Sequence, residues 1–206
     1  MRLVHILVEG PTEEKFIKEI LTPHFSQREI YLTPINLCGV SKYSIVKREV
    51  KNLLKNSGVD LVSTMLDYYG LHNDFPGKDS LNQQWSYLQK VEHLEKAFSD
   101  DIDDAKFLPY LQMHEFEALL FCDCVPFARL TKQYIQIQKI ADGFETPEEI
   151  NDSAQTAPSK RIVGLMSNYN KPLHGAVIAK DIGLSKMREK CEHFDGWIKS
   201  LERWSP

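Results

Sequence analysis

The stretch "VEGPTEEKF", Val8 to Phe16, ends an apolar run on a glutamate, breaks at Gly10-Pro11 and then opens a burst of acid. Leu3–Val8 before it reads as a short, fully buried strand, rich in branched apolar residues and closed by the Gly-Pro pair. Residues 12–26 after it read as a helix. Phe16, Ile17, Ile20 and Leu21 share one side of that helix, and Pro23 disturbs its far end. If the helix starts promptly, the i, i+4 spacing of Glu9 and Glu13 lets both carboxylates face one point.

The same grammar repeats downstream. "IYLTPINLC", residues 30–38, reads as a second strand, with Pro34 suggesting an edge position. Ser44 to Asn56 reads as a helix with Val46, Val50, Leu53 and Leu54 inward, closed by Ser57-Gly58. "VDLVSTMLD", Val59 to Asp67, is a third strand, again ending on a carboxylate. A polar loop at 70–84 leads to a helix over 85–99. The fourth strand, "KFLPYLQM" at 106–113, runs straight into "HEFEALLF". This alternation predicts an α/β fold with a mainly parallel four-stranded sheet and right-handed crossovers.

Beyond about residue 122 the pattern changes to helical periodicity over Val125–Asp142 and Leu184–Trp204. The predicted organisation is therefore an α/β domain over 1–122 and a helical C-terminal extension over 123–206 packed on it. Phe194, Trp197 and Trp204 fall at helical spacing and read as a buried stripe.

The composition is that of an ordinary globular chain of 206 residues, ample for a core. No stretch approaches the roughly 18 uninterrupted apolar residues of a membrane span. Leu3–Val8 is too short for a signal peptide, so a cytoplasmic protein is the simplest reading. The net charge of -4 argues against binding nucleic acid through bulk charge. Cys122, Cys124, Cys191 and His193 could be drawn as a zinc site, but the spacing is too tight for the usual finger. Reduced, partly buried thiols are the simpler reading.

In open parallel sheets, function gathers at the carboxyl ends of the strands. Three of the four expected strands end there in acid: Glu9, Asp67, and Glu115 with Glu117. Each has an ordinary alternative. Glu13 could only stabilise a helix N-terminus, Asp67 could open a turn, and Glu115 and Glu117 could lie in a solvated first helical turn. The repetition at successive strand ends favours a site. Converging carboxylates repel unless a cation sits between them, and hard oxygen donors select Mg²⁺ or Mn²⁺ over zinc. Glu115 and Glu117 serve one site only if His114–Glu117 stays extended, which favours Glu115, the nearer to the strand.

Together "VEGPTEEKF", "TMLDYYG", "HEFEALLF" and the tail "IAKDIGLSKMREKCEHFDGWIKSL" resemble a bacterial domain-of-unknown-function family regarded as Toprim-like. More distantly the chain resembles the Toprim domains of the overcoming-lysogenization-defect (OLD) nucleases. The resemblance implies a Toprim-like, Rossmann-like sheet and Mg²⁺- or Mn²⁺-dependent hydrolysis of nucleic-acid phosphodiesters, DNA rather than RNA. It implies metal ligation by Glu9, Glu13, Asp67, Glu115 and Glu117, with Glu9 and Asp67 catalytic. The second Asp of the family's Asp-x-Asp motif is Tyr69 here, a poor metal ligand, with Asp74 in the following loop as a possible substitute. The resemblance implies a late lysine that balances charge at the phosphate, for which Lys160 in "APSKRI" is the candidate, with Arg161 and Lys171 as neighbours, although the plainer reading of "PSKR" is an exposed, solvated basic loop. The resemblance also implies an ABC- or AAA-type ATPase partner in a phage-defence system. The other class of function is a catalytically silent interaction or toxin module that acts only through that partner. Homo-oligomerisation stays open.

Overall fold

The computed structural model describes residues 1–39, 42–151 and 156–204. The expected α/β architecture is present. In chain order it comprises β1 (Arg2–Val8), α1 (Pro11–Phe16), α2 (Thr22–Ser26), β2 (Ile30–Asn36), α3 (Tyr43–Leu54), β3 (Leu61–Asp67) and α4 (Tyr87–Ile102). Two short strands, β4 (Phe107–Leu108) and β5 (Leu111–Gln112), precede five further helices. These are α5 (Tyr134–Ala141), α6 (Pro158–Leu165), α7 (Ala176–Ile182), α8 (Leu184–Lys190) and α9 (Glu192–Arg203). The strands run parallel in the order β2-β1-β3-β4, with β5 also on β3. Pro34 lies on the edge strand β2, where its missing N–H breaks no second ladder.

Four expected elements differ in detail. The run over 12–26 is helical throughout, as expected, but it is not one regular α-helix. A π-helical turn, Ile17–Leu21, joins α1 to α2, and the Thr22 hydroxyl donates to Ile17 O at 2.9 Å, so the proline is absorbed within the helical run. The single fourth strand is broken, because Pro109 cannot donate to the ladder. Side chains of β3 repair the gap. Ser63 Oγ donates to Leu108 O at 2.6 Å, and Thr64 Oγ1 both donates to Tyr110 O and accepts from Tyr110 N, at 2.8 and 2.9 Å. The expected helix over 184–204 bends at Cys191 into α8 and α9, and that over 125–142 is a 3₁₀ segment followed by α5.

The sheet is covered on both faces, and β3 is buried at all of its seven positions. Leu7, Val62 and Leu66 pack with α3 and α4 on one face. On the other, Val4, Ile6, Val8 and Met65 share one core with Phe16, Phe116 and the C-terminal Phe194, Trp197 and Ile198. The aromatic stripe expected in the tail is this core: Phe194 and Trp197 are buried, and Trp204 packs against them partly buried. Trp197 stacks on Tyr110 with centroids 4.3 Å apart and donates its indole N–H to Ser63 Oγ at 2.9 Å, tying α9 to the repaired strand. Among the described residues no helix is long and apolar enough to cross a membrane.

Candidate active site

β1 and β3 are neighbours, so their carboxyl ends bring Glu9 and Asp67 to the same edge of the sheet. Pro11 is pre-set for a first helical position, and α1 begins two residues after Glu9. This prompt start turns Glu13 back, so that its Oε2 accepts from Gly10 N at 3.0 Å. Glu13 therefore caps the helix and also lines the cleft beside Glu9 and Asp67. Asp67 is buried and its Oδ1 accepts from Phe116 N at 3.0 Å, locking the third acidic segment onto the strand end.

His114 makes the decisive turn. Its φ of 62° lies in the left-handed region, Glu115 after it is extended, and a 3₁₀ segment runs from Phe116 to Cys122. The two glutamates consequently part. Glu115 Oε2 accepts from Ser159 N at the start of α6, at 3.0 Å. Glu117 is fully buried and pairs with Lys171 Nζ at 2.9 Å, while Tyr169 OH donates to its other oxygen at 3.4 Å. Glu117 is thus the more deeply buried of the two, although Glu115 is the nearer to the strand.

The electrostatics follow from crowding. Burial pushes the Asp67 carboxyl well above the ordinary range, and Glu13, Glu9 and Glu117 push it further, against the opposing pull of Lys171. Glu9 and Glu13 are also raised, each mainly by burial. Burial lifts Glu117 to about 7 in spite of Lys171. Burial works against the Lys171 ammonium, but Glu117, Glu115 and Asp67 outweigh it and hold its pKa above the usual lysine value. Buried like charges this close call for positive charge.

Glu9, Glu13, Asp67, Asn36 and Lys171 line an open cleft of about 550 Å³. Its carboxylates are hard oxygen donors of the type that suits Mg²⁺ or Mn²⁺; Cys38 also lines the cleft, with its sulfur 3.9 Å from Asn36 O. As the side chains stand, no three His, Cys, Asp or Glu among the described residues are gathered about one point. The cation present is Lys171, which leads a π-helical turn, Lys171–Gly175.

The remaining expected residues lie elsewhere. "PSKR" is the start of α6 rather than a loop; Lys160 is exposed there, and Arg161 Nε donates to Thr156 O at 2.6 Å with its guanidinium over the Phe144 ring. The lysine among the carboxylates is Lys171. Asp74, the possible substitute for a second Asp, is engaged elsewhere: its Oδ1 accepts from Tyr43 N at the start of α3 and meets His72 Nδ1 at 2.8 Å. Tyr69 stacks on His114 with centroids 5.6 Å apart. All four cysteines are free; Cys122 and Cys191 meet at 3.4 Å between sulfurs, while His193 turns to Glu95 and stacks on Tyr110. Tyr169 carried no signal in the sequence, since it reaches Glu117 through tertiary approach alone.

Fold and site together define a parallel α/β protein with an acidic carboxyl edge neutralised by a lysine. The chain belongs to the family described as Domain of unknown function (DUF4276), whose model matches residues 8–202. No curated protein matches the sequence. Among solved structures it is similar to the C-terminal region of the Xanthomonas campestris pv. campestris OLD protein in its iodine-, platinum- and mercury-phased forms. The iodine form is 15% identical with a TM-score of 0.37, covering 96% of each chain. The platinum form is 15% identical with a TM-score of 0.39, covering 96% of this chain and 94% of that one. The mercury form is 14% identical with a TM-score of 0.40, covering 96% and 97%. The likeness is long but loose.

Proposed function

We propose that the carboxyl edge is a Toprim-like site that binds Mg²⁺ or Mn²⁺ and hydrolyses a nucleic-acid phosphodiester. The observation that carries this reading is the set of carboxylates at adjacent strand ends: Glu9 on the cleft, Glu13 and Asp67 buried beside it, and buried Glu117 paired with Lys171 Nζ at 2.9 Å. Glu9, Glu13, Asp67 and Glu117 are the cation-binding groups, and Glu115 supports them by docking α6. A bound divalent cation supplies Lewis-acid stabilisation of charge on the phosphate oxygens. In a one-metal scheme Glu9, open to the cleft, would instead leave the cation to the other carboxylates and take a proton from water. Lys171 meets the phosphate with its ammonium.

Cleavage of a labelled single- or double-stranded oligodeoxynucleotide with Mn²⁺, comparing wild type with Asp67→Asn, tests the reading. Mn²⁺-dependent cleavage lost in the variant supports it; equal cleavage by both proteins refutes it. Tyr69 in the family's second Asp position favours a second reading, a catalytically silent module acting with a partner ATPase. In that case the wild type stays inert until the partner is added.

A further inference from the structure

Glu117 and Lys171 are unequal partners. Glu117 is fixed within a 3₁₀ segment in which every residue from Phe116 to Cys122 is buried, so it cannot swing out to water. Lys171 has a side chain 41% exposed, leads a π-helical turn and lines the cleft that also holds Glu9 and Asp67. Its long flexible stem lets the ammonium be re-aimed without moving the backbone. If the pair separates, the lysine is the one that moves.

We propose that Lys171 is an exchangeable counter-ion: it neutralises Glu117 in the free protein and trades that carboxylate for a substrate phosphate oxygen, so that substrate and divalent cation bind cooperatively. This rests on the cation-binding reading above. A divalent cation arriving alone must take Glu117 from an ammonium that already satisfies it. A phosphodiester arriving alone must take Lys171 from a buried carboxylate that then has no cation. When both arrive, Glu117 passes to the metal and Lys171 to the phosphate, and neither charge is left unpaired in the protein. By linkage each ligand raises the affinity of the other by the same factor.

The test is Mn²⁺ titration by calorimetry of wild type and Lys171→Met, each with and without a nuclease-resistant phosphorothioate oligodeoxynucleotide. Wild type is expected to bind Mn²⁺ about tenfold more tightly with the oligonucleotide present, a coupling of ordinary size. Lys171→Met is expected to bind Mn²⁺ about tenfold more tightly than wild type without oligonucleotide, and to gain nothing further from it. Mn²⁺ binding by wild type that is not tightened in Lys171→Met overturns the exchange while leaving the cation site standing. Mn²⁺ binding by neither protein overturns the cation reading itself, and the exchange with it. Glu117→Gln supplies an arm that does not depend on the lysine variant folding. With Lys171 released, its metal-free affinity for the same oligonucleotide in EDTA is expected to exceed that of wild type several-fold, and an unchanged affinity overturns the proposal.

Discussion

Gly70 stands against the Glu9 carboxylate so closely that a Cβ built on it would lie 2.5 Å from Glu9 Oε2. The backbone turn after β3 therefore fixes where the first acid of the cleft can sit. Because the atom it meets ends a flexible side chain, Gly70→Ala is expected to fold and to displace Glu9. The expected outcome is a melting temperature within a few degrees of wild type and Mn²⁺ affinity reduced about tenfold, a ligand shift of roughly an ångström acting on the metal alone. Loss of folding, or unchanged Mn²⁺ affinity, would show that this contact does not position Glu9.

Glu117 makes stability depend on pH in a defined sense. Its folded carboxyl is lifted to about 7, above the ordinary 4.5, by burial. A carboxyl raised on folding binds more protons in the native state between those two values, so its contribution is full below the unfolded pKa and is lost as pH climbs through the folded one. Glu117→Gln removes that loss. It is expected to stabilise the metal-free protein by about 1 to 3 kcal/mol at pH 8 and by little at pH 5, the lower bound allowing for the Lys171 pairing it forfeits. Denaturant melts of both proteins at the two pH values check this, and a larger gain at pH 5 would reverse the assignment.

The same raised carboxyls must ionise before they can hold a cation. Mn²⁺ affinity is expected to rise as pH goes from 6 to 8, with proton release on binding. Calorimetry in two buffers of different ionisation enthalpy reads the protons directly. Binding with no released proton at pH 6 would mean that the carboxyls are already ionised.

Thr64 carries a structural prediction independent of the site. Its hydroxyl satisfies both the N–H and the C=O of Tyr110, where Pro109 interrupts the fourth strand. Thr64→Val keeps the shape and removes both bonds, leaving two buried backbone groups without these partners. The expected cost is about 2 to 4 kcal/mol, read from urea denaturation. A loss below about half a kcal/mol would show that the strand break is satisfied in another way.

What could be read from the sequence divides along local and non-local lines. β1, β3 and the acids that end them were legible because an apolar run closed by Gly-Pro or an acid-turn is a local signal. The edge position of β2 followed from Pro34. The parting of Glu115 and Glu117 was not legible, since it depends on a single left-handed residue, His114, that no periodicity announces. Lys171 could be named only as a neighbour of Lys160. It reaches the carboxylates through a π-helical turn packed on α1, and a non-local approach of this kind leaves no pattern in the chain. The broken fourth strand did carry a signal, Pro109, but its repair by Ser63 and Thr64 depends on register across the sheet.

The most direct measurement is Mn²⁺ binding by calorimetry at pH 8 to wild type, Glu9→Gln and Asp67→Asn. Asparagine at 67 can still accept from Phe116 N, so that variant keeps its fold while losing its charge. Saturable binding by wild type that is abolished in both variants is the predicted result. Binding of equal strength in all three, or none in wild type with or without oligonucleotide, would contradict a cation site at the carboxyl edge of the sheet.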